Sequence, residues 1–227
     1  MNVPVLQADI HKGGYQESDV VQDIALEVYP GELVGLLGPN GAGKSTTIKS
    51  LLGILPKFEG SIEIKDYAYI PERPIYYEGW TLYEHFTFLF STLEESFPEE
   101  KVGALLHEFG LYDMRHHYPE RFSKGMQQKG MILLSLLRRP DVYIIDEPFM
   151  GLDPKAVKRF LTMVKEEQKR GAGVLMSTHV LDTAEKICDR FILMAEGKII
   201  ASGTMEEIRR ASGLPEASLF DCFDALT

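Results

Sequence analysis

The residues with the plainest chemistry form one short run: Gly38-Pro39-Asn40-Gly41-Ala42-Gly43-Lys44-Ser45, followed by Thr46. Glycines let a backbone curl until successive N–H groups point at one anion. A helix starting just after them adds the positive end of its dipole. A lysine in the place of Lys44 reaches the outer phosphates of a nucleoside triphosphate, and a hydroxyl in the place of Ser45 ligates Mg2+. All nine residues are therefore expected to bind ATP, with Lys44 also in the catalytic set. A chance match is the alternative, and context decides against it: the apolar run Leu33-Val34-Gly35-Leu36-Leu37 enters the glycines and residues 45–52 leave them with helical patterning.

Two further groups gain meaning from that loop. Val142-Tyr143-Ile144-Ile145 ends in Asp146-Glu147. In open parallel sheets ligands gather beyond the carboxyl ends of the strands. Asp146 is placed to hold Mg2+, and Glu147, turned the other way by strand alternation, to polarise a water. Taken alone, two solvated acids closing a strand is the better reading; downstream of a phosphate loop the order reverses. Ser177-Thr178-His179 follows another buried-type strand, Gly173-Val174-Leu175-Met176. His179 there can hydrogen-bond a terminal phosphate oxygen and the attacking water. A lone histidine is more often a surface residue, and only its register with the other two groups argues otherwise. The adjacent His116-His117 have no such register and are read as exposed.

The elements that must position these groups follow. Two apolar strands separated by a helical stretch over residues 155–169 imply a parallel sheet with right-handed crossovers. Residues 190–195 and 198–202 flank Glu196-Gly197 as a hairpin. Residues 80–138 are mostly helical in pattern and are expected to form a separate lobe. The fold class expected from these patterns is α/β, with a mostly parallel sheet core and a helical lobe. The organisation expected is one domain over 1–227, with 1–72 and 140–210 as nucleotide-binding core, 73–139 as helical lobe and 211–227 as C-terminal tail.

Composition narrows the function classes. The 227 residues are 44% hydrophobic, an ordinary globular value, and carry a formal net charge of -10. That balance argues against nucleic acid as a partner, which wants clustered Lys and Arg. The two cysteines, Cys188 and Cys222, form neither a metal pair nor a disulfide framework, so a reducing compartment is expected. The most apolar run, residues 131–137, falls far short of the roughly 20 residues a membrane span needs. The first ten residues lack a basic region followed by an apolar stretch, so no secretion signal is expected. Any action at a membrane then requires a partner.

In order and spacing, the phosphate loop, Phe122-Ser123-Lys124-Gly125-Met126-Gln127-Gln128-Lys129, Asp146-Glu147-Pro148, Gly151-Leu152-Asp153-Pro154 and His179 resemble the ABC ATPase domain, over residues 5 to 210. The chain further resembles the ATPase subunits of Ecs-type bacterial exporters, through Tyr69-Ile70-Pro71-Glu72, residues 123–126, residues 143–149 and residues 175–179. The resemblance implies a P-loop NTPase of the ABC ATPase fold, with a small antiparallel β lobe beside the parallel core, and that Tyr15 stacks on adenine. It implies that Ser123, Lys124, Gly125 and Met126 form the signature segment, which seals the nucleotide of a second copy in a head-to-tail dimer. Gly151, Leu152 and Asp153 would couple the two sites. The implied activity is ATP hydrolysis driving transport, in the export direction, through an integral membrane permease, at the cytoplasmic face of the cell membrane. The implied ligands are ATP and Mg2+, the ion held by Ser45, Asp146 and Glu72.

Three departures from the family pattern stand out. Phe122, Lys124 and Met126 replace three of the five residues of the usual Leu-Ser-Gly-Gly-Gln. Glu72 replaces a glutamine that ordinarily ligates the ion and senses the membrane partner; it brings one more negative charge toward the phosphates. The antiparallel lobe is trimmed, residues 61–64 passing through Lys65-Asp66 almost directly into 67–70. The permease is expected on residues 74–82 and 83–90, where Tyr76, Tyr77, Trp80, Phe86, Phe88 and Phe90 concentrate; filling the helical lobe is the alternative role for these rings. A soluble ATPase of the same family in assembly or repair, and a non-catalytic regulatory module, are the competing functions.

Overall fold

Strand β3 (Leu33–Leu37) is buried at every position, so it lies inside a sheet covered on both faces. The computed structural model describes residues 3–16 and 18–227. Met1, Asn2 and Glu17, which the sequence reading placed in the 1–72 core, lie outside the described residues. Before β3 come β1 (Leu6–Tyr15) and β2 (Ser18–Val28); after it come α1 (Lys44–Leu51), β4 (Lys57–Ile64) and β5 (Tyr67–Ile70). Helices α2 (Leu82–Thr92), α3 (Glu99–Glu108) and α4 (Lys124–Leu137) follow. The chain then alternates β6 (Val142–Asp146), α5 (Pro154–Arg170), β7 (Gly173–Thr178) and α6 (Leu181–Ile187). It ends with β8 (Arg190–Ala195), β9 (Lys198–Gly203), α7 (Met205–Ser212) and α8 (Leu219–Leu226).

The main sheet runs β5-β6-β7-β3-β8-β9, parallel except for the β8–β9 hairpin. A separate antiparallel sheet has the order β2-β1-β4. This is the mostly parallel core with a small β lobe that the sequence leads one to expect. Lys65 and Asp66 alone carry the chain from one sheet to the other. Lys65 is pinned through its N–H to the Val5 carbonyl, and the Asp66 carbonyl accepts from the N–H groups of Asp141 and Val142.

Strand alternation divides the buried side chains between two layers. Tyr143 and Ile145 face a core shared with Leu82, Phe86, Phe90, Ile132, Leu133 and Phe160, under the helices. Val142 and Ile144 face the other way, against Ile10, Ile24, Ile48 and Met194, under the antiparallel sheet. A third cluster of Leu37, Phe191, Leu193, Ile208, Leu219 and Cys222 seats α7 and α8 on the sheet edge, so residues 219–226 pack on the body. Register matters most for the site. Asp146 pairs with Ser177 and Leu37 with Thr178, so β6, β7 and β3, which are adjacent, end level with one another. Gly38, Glu147 and His179 therefore leave one sheet edge together.

Candidate functional site

The loop after β3 needs its glycines at two points in particular. Gly41 and Gly43 have φ of +85° and +104°, a region costly for residues with a side chain. A Cβ on Gly43 would also lie 2.6 Å from Val21 Cγ1. The loop closes into α1, and Lys44 turns back over it: its ammonium donates to the Gly38 carbonyl at 2.7 Å and the Pro39 carbonyl at 3.2 Å. Lys44 is thus buried yet charged, which its surroundings must offset.

Part of that offset is Glu147. Its Oε1 lies 3.5 Å from Lys44 Nζ, with the two side chains 12% and 6% exposed. Glu147 has φ of +45°, a left-handed conformation that costs a non-glycine residue about 1 kcal/mol. Its N–H is held there by the Ser177 carbonyl and the Ser177 hydroxyl. The turn carries the carboxylate back between Lys44 and His179, whose Nδ1–H donates to Glu147 Oε2 at 2.9 Å. That bond fixes the tautomer and leaves the histidine Nε2 available. Among the described residues, Glu147 Oε1 is buried with no hydrogen-bond partner. A carboxylate oxygen of this kind, facing a cavity, suits a water or ligand as its missing donor.

Asp146 is buried on the neighbouring position. Its Oδ1 accepts from the Ser177 hydroxyl and, at 3.4 Å, from the Ser45 hydroxyl. Burial pushes its carboxyl above the ordinary aspartate range; the two serine hydroxyls pull it back, and the charges of Glu72 and Glu147 add to the rise. A nearby cation would relieve that cost. The donors here are hydroxyl and carboxylate oxygens, which fit a hard ion such as Mg2+. Among the described residues, no three of His, Cys, Asp and Glu cluster as a self-contained metal site.

These groups line one cavity of about 370 Å3, with Val20, Asn40, Gly41, Gly43, Lys44, Ser45, Thr46, Glu72, Glu147, Met150 and His179 on its wall. The phosphate loop, Glu72, Glu147 and His179 are thus brought together, with Asp146 bonded to Ser45 behind them. Other expected residues lie elsewhere. Tyr15 ends β1, 37% exposed and off the cavity wall, and its hydroxyl accepts from Lys49 Nζ at 3.0 Å. Ser123 caps α4, its hydroxyl accepting from Met126 N–H at 3.3 Å. Neither it nor Lys124, Gly125 or Met126 lines the cavity. Asp153 caps α5, and Gly151 and Leu152 form the turn before it. Ser177 is the residue that sequence reasoning passed over. It braces both acids, and its pairing with Asp146 across the sheet cannot be read from spacing along the chain.

Residues 21–150 match the family model described as ABC transporter. The chain belongs to the ABC transporter family. As an ATP-binding protein of that family it is 51% identical to the uncharacterized ABC transporter ATP-binding protein YthP of Bacillus subtilis, over 96% of this chain and 95% of the relative. It is 42% identical to the ABC-type transporter ATP-binding protein EcsA of Bacillus subtilis, over 95% and 93% of the two chains. A solved structure of an ATP binding subunit of an ABC transporter superposes with a TM-score of 0.91 at 41% identity, covering 98% of this chain and 99% of the other. The ABC ATPase fold is thereby shown, and no helix among the described residues is long and apolar enough to cross a membrane.

Proposed function

We propose that this ABC-family chain hydrolyses ATP and that the hydrolysis powers export through a separate membrane permease. The observation that carries the catalytic part is the chain of contacts Lys44–Glu147–His179, at 3.5 and 2.9 Å, on the wall of the phosphate-loop cavity. In this reading Lys44 leaves the Gly38 and Pro39 carbonyls for the outer phosphate oxygens of ATP. Glu147 Oε1 accepts a proton from water as the water oxygen attacks the γ-phosphorus, the bond to ADP breaks, and His179 holds Oε2 so that the carboxylate stays aimed. Ser45, Asp146 and Glu72 would hold Mg2+, which would supply charge neutralisation to the triphosphate. Tyr15, part-exposed at the end of β1, stacks on adenine. Catalysis is mainly positioning and charge stabilisation.

Because Ser123, Lys124, Gly125 and Met126 lie off the cavity of their own chain, they are assigned to the cavity of a second copy, docked head to tail. Free N–H groups at the start of a 14-residue helix suit a phosphate. Residues 151–153 then couple the two sites. The direction of transport rests on one relative, the Lipopolysaccharide export system ATP-binding protein LptB of Haemophilus influenzae, 30% identical over 90% of this chain and 92% of that one.

The aromatic segment supports a docking surface, since its rings divide between two roles. Phe86 and Phe90 are buried in the helical core, whereas Tyr77 and Phe88 are 57% and 41% exposed and pack with Trp80 in one cluster, with ring centroids 5.0–5.8 Å apart. Aromatic anchors at the centre of an interface are worth about 2 kcal/mol each, roughly thirtyfold in affinity. Tagged chain recovered from detergent-solubilised membranes is expected to carry a membrane protein and Mg2+-dependent ATPase activity. The Tyr77→Ala/Trp80→Ala double variant is expected to lose that protein while still binding nucleotide. A double variant that retains the membrane protein would contradict this docking surface.

A further inference from the structure

Helix α4 and the loop that leads into α5 touch at two points, one turn of helix apart. The first is backbone against backbone. A Cβ on Gly125 would sit 2.3 Å from the Gly151 carbonyl oxygen, so the helix start can lie this close to the loop only with glycine at 125. The second is an ion pair four residues on, at the spacing that shares a helix face: Lys129 Nζ to Asp153 Oδ2 at 2.6 Å. The other oxygen of Asp153 accepts from the Ala156 N–H at 2.9 Å. One carboxylate therefore caps α5 and grips α4 at the same time.

The opposite side of the same turn of α4 is fixed as well. The Tyr76 hydroxyl donates to the Gln127 carbonyl at 2.6 Å, and a Cβ on Gly130 would fall 2.5 Å from that hydroxyl oxygen. The helix is held against rolling, so loss of the ion pair would free the loop rather than the helix. Asp153 is half-exposed. A pair of that kind adds little to folding stability, and its contribution is one of geometry.

We infer that Lys129 is a positioning residue that joins the signature segment, residues 123–126, to the loop 151–153, so that the two move as one unit. The inference rests on the dimeric ATPase reading. In that dimer residues 123–126 of one chain close on its partner's nucleotide while residues 151–153 lie along the shared face. Joining them makes the state of one nucleotide site felt at the other, and neither Lys129 nor Asp153 needs to touch a nucleotide.

The test uses the purified full-length chain and the variants Lys129→Met, Lys129→Arg, Asp153→Asn and Lys129→Met/Asp153→Asn. Asparagine keeps the helix cap while removing the charge. ATP turnover against ATP concentration, nucleotide affinity and melting temperature are measured for each. The wild type is expected to show a Hill coefficient above one. Lys129→Met and Asp153→Asn are each expected to bring it to about one and to lower kcat roughly tenfold, within the usual range of coupling between sites. Affinity and melting temperature stay at wild-type values, Lys129→Arg behaves as wild type, and the double variant is no worse than either single one. Wild-type kcat and cooperativity in Lys129→Met would overturn the inference. So would additive losses in the double variant, or a melting temperature that falls in step with rate. A wild type without cooperativity would overturn it too, and a wild type without ATP turnover would remove the functional reading beneath it.

Discussion

Replacing Glu147 by glutamine is expected to lower ATP turnover by about 10²–10⁴, the usual contribution of a positioned general base, while nucleotide still binds. The substitution keeps the shape of the side chain and an oxygen to accept from His179 Nδ1–H, now bonded at 2.9 Å. What it removes is the ability to take a proton and the charge that faces Lys44 at 3.5 Å. Freed from that partner, Lys44 is more available to phosphate, so affinity is expected to hold or rise. Phosphate release measured beside equilibrium nucleotide binding separates the two effects. Wild-type turnover in Glu147→Gln would assign the base elsewhere.

Lys44→Met is expected to act on binding first. Methionine can fill the space of the aliphatic stem, so the fold is kept, but the ammonium that sits over the loop is lost. A charged hydrogen bond to phosphate is worth about 1.5–3 kcal/mol, so nucleotide affinity should fall roughly ten- to a hundredfold. Turnover falls further because the same charge stabilises the transition state. There is a second consequence inside the protein. Glu147, only 12% exposed, loses its facing cation and is left with an unpaired carboxylate oxygen, a cost to the site as well as to binding. Binding isotherms of wild type and variant, with circular dichroism to check folding, test this directly. Unchanged affinity would mean that Lys44 faces something other than the nucleotide.

How far the site could be read from sequence depended on whether its parts are local. The phosphate loop, Asp146, Glu147 and His179 each follow an apolar strand within a residue or two, so strand-end logic was enough to group them. The brace between them was not legible. Ser177 meets Asp146 only because β6 and β7 are neighbours in that register, and the left-handed turn at Glu147 follows from bonds to Ser177. The aromatic segment was legible in part. Leu82, Phe86 and Phe90 recur every four residues and share the buried face of α2, while Phe88 falls between them and is exposed. Counting the rings concealed that phase. Helix α8 also left a signal, Ser218 three residues before Asp221, which forms a capping box. The Gly125–Gly151 and Lys129–Asp153 contacts join segments that are more than twenty residues apart, and spacing alone does not reveal them.

Titration of ATP with Mg2+ into the purified chain puts the reading at most direct risk, because every assigned role begins with a triphosphate held by the backbone of residues 38–45. Saturable binding of one nucleotide per chain, weakened in Lys44→Met, is the result expected. A wild-type chain that folds correctly and shows no saturable binding would contradict it.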